Sequence, residues 1–78
     1  MESIFKVNVE NTIYKISIRE ASSDYIYYEV HDDKKTICTL RHELNHVGEL
    51  VWAMIENQKN ISKPFAERIG EQIDNYYR

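Results

Sequence analysis

The sequence predicts an α+β fold, an antiparallel β-meander of four to five strands covered by a C-terminal amphipathic helix; four strands plus two helices is the alternative. Three observations lead there. Apolar and polar residues alternate over the first twenty positions, apolar residues recur at helical spacing over the last fifteen, and 78 residues suffice for one hydrophobic core. Residues 1–78 therefore read as a single domain.

Phe5, Val7 and Val9 alternate with Lys6, Asn8 and Glu10, and Tyr14, Ile16 and Ile18 alternate with Lys15, Ser17 and Arg19. That is the period-two signature of two half-buried strands. With Asn11-Thr12 as a two-residue turn, Val9 would face Tyr14, Val7 would face Ile16 and Phe5 would face Ile18, all on one side of the sheet. Ala21-Ser22-Ser23-Asp24 reads as a turn and Tyr25 to His31 as a third strand. Asp32 to Lys35 then makes a polar loop before a fourth strand, Thr36 to Leu40. Short connections favour antiparallel neighbours, with one sheet face covered and the other wet.

At the far end, Ser62 suits a helix N-cap, Pro64 is tolerated in the first turn, and Phe65, Ile69, Ile73 and Tyr76 share a face with Ala66 beside them. Gly70 lies in the middle of this helix, where it costs about 1 kcal/mol relative to alanine. Close packing against the sheet would account for it. Between these elements, Arg41 to Ile61 has two readings. As a helix it would align Leu44, Val47, Val51, Met54 and Ile55; as a strand, Leu50 to Ile55 would follow Gly48 and precede the polar Asn57-Gln58-Lys59-Asn60.

Phe5-Lys6-Val7, Tyr14-Lys15-Ile16, Leu40, the lone Trp52, Ile69-Gly70-Glu71-Gln72-Ile73 and Tyr76-Tyr77 together form a pattern that resembles small uncharacterised bacterial proteins of about this length. The likeness covers most of the chain and rests on packing positions. It implies a meander with a covering helix and carries no known activity.

Composition narrows the function classes. The net charge of −3 is spread along the chain with no basic stripe, which argues against a nucleic-acid partner. The longest apolar run, Leu50 to Ile55, falls far short of the roughly 20 residues of a membrane span. A single cysteine, Cys38, and the start Met1-Glu2-Ser3, which lacks a signal-peptide pattern, point to a cytoplasmic protein.

One motif carries specific chemistry. His42-Glu43-Leu44-Asn45-His46 satisfies H-E-x-x-H and looks like the zinc metallopeptidase signature. On a helix, His42 and His46 would lie one turn apart and ligate zinc, Glu43 would act as general base on the metal-bound water, and Glu67 or Glu71 would supply a third ligand. Against it, the motif needs a helix, yet His42 directly follows a strand and Gly48 interrupts helix continuation. A second reading places Tyr25, Tyr27 and Tyr28 on a strand as a base-stacking platform for single-stranded nucleic acid, and a meander of four strands followed by a helix looks like the Pur-type modules that bind single strands. The favoured reading is a non-catalytic interaction or structural module, with a protein partner or a second copy meeting an exposed sheet face or edge; Tyr76, Tyr77 and Arg78 are candidates for the same contact.

Overall fold

The computed structural model describes residues 4–20, 25–33 and 35–78. Strands β1 (Ile4–Val9), β2 (Thr12–Glu20), β3 (Ile26–Asp32), β4 (Lys35–Leu44) and β5 (Leu50–Glu56) form one sheet in chain order, and helix α1 (Lys63–Tyr76) follows. Every neighbouring pair is antiparallel. The α+β meander is as expected, in its five-stranded form, and Arg41 to Ile61 holds strand rather than helix. The turn expected at Ala21-Ser22-Ser23-Asp24 lies outside the described residues. Among the described residues no helix is long and apolar enough to cross a membrane.

The first hairpin differs from expectation by two residues. Val9 pairs with Thr12, Val7 with Tyr14 and Phe5 with Ile16, so the turn is Glu10-Asn11 rather than Asn11-Thr12. Both turn residues have positive φ, 53° and 65°, the conformation whose twist matches the flanking strands and which asparagine tolerates well. The Asn11 N–H donates to Asn8 Oδ1 at 3.1 Å, which helps hold the turn. A slip of two changes every cross-strand partner but moves no side chain to the other face, so alternation alone is blind to it.

The core lies on one face of the sheet, beneath α1. Phe5, Val7, Val9, Ile16, Tyr28, Val30, Cys38 and Leu40 meet Ala66, Ile69 and Ile73 of the helix. α1 begins as the sequence implies, with Ser62 as N-cap accepting the Phe65 N–H at 3.3 Å. Its closest contacts are with the outer strands β1 and β5, so the sheet curls around the helix. Irregular pairing contributes to that shape: β3–β4 and β4–β5 each shift register once, with Ile37 and Ile55 as the extra residues. β4 runs on past Leu40 to Leu44, and Asn45 organises the reversal into β5. Its side-chain oxygen accepts the N–H groups of Val47 at 3.0 Å and Glu49 at 2.9 Å, and Gly48 supplies the left-handed residue at φ 82°.

Cys38 is wholly buried, and burial pushes its thiol up from 9.0 to about 12. A disulfide reagent should therefore leave the native protein unmodified near pH 8 and titrate the thiol only after denaturation. Because the folded value lies above the unfolded one, the thiol leaves stability level below about pH 9. Stability then falls as the pH climbs from 9 towards 12, since the unfolded chain loses that proton first. Burial raises the Tyr28 hydroxyl as well, reinforced by Tyr77 and Asp74, and acts with the same sign. Thermal melts across the alkaline range should show the decline, and a Tm that rises with pH there would contradict it.

Candidate functional site

His42, Trp52 and Asp74 form a grouping of chemically capable side chains at the C-terminal end of α1. His42 and Trp52 are cross-strand partners on β4 and β5, so their rings stand side by side with centroids 3.8 Å apart. Asp74, in the last turn of α1, faces both: Oδ1 lies 3.2 Å from His42 Nε2, and Oδ2 accepts the Trp52 Nε1–H at 3.0 Å. Tyr28 packs edge-on to Trp52 at 5.4 Å, and Phe5 stacks on Tyr76 at 3.9 Å. The Asp–His pair has the form of a base and its orienting carboxylate, but among the described residues no hydroxyl or thiol is hydrogen-bonded to His42. What the arrangement does structurally is clear: one carboxylate ties the helix end to two strands.

The H-E-x-x-H segment does not assemble as a zinc motif. His42 and Glu43 are consecutive on β4, and strand geometry sends them to opposite faces. Glu43 instead bonds Arg41, accepting from Nη2 and, at 3.2 Å, from Nε. His46 is exposed in the β4–β5 turn, and Glu67 and Glu71 are exposed on α1. Among the described residues no three His, Cys, Asp or Glu side chains are grouped to hold a metal. The one-turn spacing that gives the motif its chemistry exists only on a helix, and this segment is strand and turn.

The three tyrosines do not share a surface. Tyr28 faces the helix and is buried, whereas the neighbouring Tyr27 lies on the opposite face with Tyr25 near it. There the guanidinium of Arg41 sits 4.3 Å from the Tyr25 ring centroid and 6.0 Å from that of Tyr27, while Arg19 lies 5.3 Å from Tyr27. Both arginines already have carboxylate neighbours, Glu29 at 3.5 Å from Arg19 and Glu43 beside Arg41. Sequence reasoning missed Arg19, Arg41 and Asp74, because their partners are fixed by strand register and helix phase and not by spacing along the chain.

The other distinctive surface is the outer edge of β5. This strand has a neighbour on one side only, and from Leu50 to Ile55 it carries no charge. Leu44, Val47, Leu50, Val51 and Ile55 are exposed there, with Leu44 at 68% and Leu50 at 66%. The opposite outer strand, β1, places Lys6 at its centre, a common device against edge pairing that β5 lacks. The Asn45 N–H to Glu49 C=O bond at 2.9 Å sets the phase of the β4–β5 ladder, and antiparallel alternation then turns the N–H and C=O groups of Leu50, Trp52 and Met54 outward. Compared with known proteins, the chain matches no family model, no curated protein and no solved structure.

Proposed function

We propose that the protein is a non-catalytic interaction module that pairs with a second copy of itself through the outer edge of β5. The observation that carries this reading is an uncharged edge strand, Leu50 to Ile55, bordered by exposed aliphatic side chains. Antiparallel pairing of β5 with its symmetry mate would satisfy the outward backbone groups and cover those side chains together. A two-fold contact needs only one such surface per chain, which suits a molecule of this size. The stacking reading of Tyr25 and Tyr27 has less support, since the arginines beside them are already matched by carboxylates.

Sedimentation at high micromolar concentration should give a dimer for the native chain and a monomer for Leu50→Lys/Ile55→Lys. Both positions are exposed, so the substitutions should change monomer stability by no more than about 0.5 kcal/mol each. A native chain that stays monomeric, or a doubly substituted chain that dimerises equally well, would sink the proposal.

A further inference from the structure

We infer that the cavity between the β1–β2 sheet surface, the β3–β4 hairpin and the loop after β5 binds a small organic phosphate. It is an open cleft of about 990 Å³, lined by Lys6, Lys15, Lys35 and Lys59 around the apolar Ile13 and Ile37. That volume lies at the upper end of the roughly 300–1,000 Å³ of small-molecule sites. Asp32 and Asp33 also line it, but Asp32 is engaged by Lys59 Nζ at 2.8 Å. Lys6, Lys15 and Lys35 have no ion-pair partner among the described residues.

Lys6 and Lys15 are directly opposite one another across β1 and β2, a like-charge pairing that disfavours the sheet. The next position in the row, opposite Lys15, is His31. Its two ring nitrogens are held by Ser17 Oγ at 3.0 Å and Thr36 Oγ1 at 3.1 Å, so no carboxylate enters there. Lys6, Lys15, Lys35 and Lys59 against Asp32 and Asp33 thus leave this cavity cationic in a chain of net charge −3. A phosphate dianion would offset two of the lysines at once, where a carboxylate would offset one.

The walls are already in place. The Lys59 N–H donates to the Ile37 carbonyl at 3.1 Å, and the Asn57 side chain bonds both the N–H and the carbonyl of Ile61 at 2.8 and 2.9 Å, which fixes the loop against β4. The half-exposed Ile13 offers apolar surface beside the cations, while Ile37, the extra residue of the β3–β4 irregularity, is almost wholly buried behind them. An anion with a flat apolar body fits that combination better than a bare ion does.

Phenyl phosphate is the probe, with inorganic phosphate and benzoate as comparators, read by amide shifts of the isotope-labelled protein. Saturable shifts at Lys15, Thr36, Ile37 and Lys59 are expected with phenyl phosphate at millimolar concentration, with both comparators several-fold weaker. Lys6→Gln/Lys15→Gln should weaken binding about tenfold, equivalent to about 1.4 kcal/mol, while keeping or raising Tm because the like-charge pair is gone. Absence of saturation, equal binding of either comparator, or undiminished binding by the Gln variant would each overturn the assignment.

Discussion

Gly70→Leu is expected to remove most of the stability of the fold, and the reason is a single contact. A Cβ on Gly70 would lie 2.5 Å from Cγ and Cδ1 of Trp52 and 2.6 Å from Nε1, well inside van der Waals distance. The indole cannot easily yield, because its N–H is bonded to Asp74, His42 lies against it and Tyr28 packs on it edge-on. Alanine at this position would gain about 1 kcal/mol of helix propensity and lose about 1–3 kcal/mol to overpacking, a small net loss. Leucine adds three more carbons where the helix already lies tight against Trp52. Its cost should reach several kcal/mol, against roughly 4–12 kcal/mol for a chain of this length. Urea denaturation of Gly70→Ala in two backgrounds separates the contact from a general intolerance of the helix. With Trp52 intact the alanine should destabilise; with Trp52→Leu it should stabilise. Equal destabilisation in both would show that the indole is not the cause.

The need for this glycine is legible in the sequence, since glycine in the middle of an amphipathic helix has a cost that only close approach offsets. Its partner is not legible there, because Trp52 lies eighteen positions earlier on a strand whose phase relative to α1 no local pattern records. The same division runs through the molecule. Alternation in Phe5-Val7-Val9 and Tyr14-Ile16-Ile18 reveals which side chains face the core, yet it does not separate an Asn11-Thr12 turn from the Glu10-Asn11 turn that forms. Over Leu50 to Ile55 the run is too short for periodicity to choose between helix and strand, and His42-Glu43-Leu44-Asn45-His46 draws its meaning from that choice. Once the segment pairs as strands, His42 turns to Trp52 and Asp74 while Glu43 turns to Arg41. The lysines around the cavity read along the chain only as scattered charges, because their convergence is a product of register and of the Asn57–Ile61 loop.

Leu40→Ala should be the second severe substitution, and its size depends on how one neighbour responds. Leu40 is fully buried on β4, opposite Tyr28 of β3 on one side and Met54 of β5 on the other. Truncations of this kind cost about 2–5 kcal/mol, set by how far the surroundings collapse into the space. Tyr28 is held by its contacts with Trp52 and Tyr77 and has little freedom to move. Met54 is only half-buried and borders, with Leu40 and Ala66, a groove of about 390 Å³ between β5 and α1. Its unbranched thioether can swing inward, so Leu40→Ala alone should fall in the lower half of that range. With Met54→Val no such swing is possible, and the double substitution should lose more than the sum of the two single losses. Urea midpoints for the four members of this cycle measure the difference. Strict additivity would mean that Met54 stays where it is and that the void at Leu40 remains open, in which case the single substitution should itself lie near the top of the range.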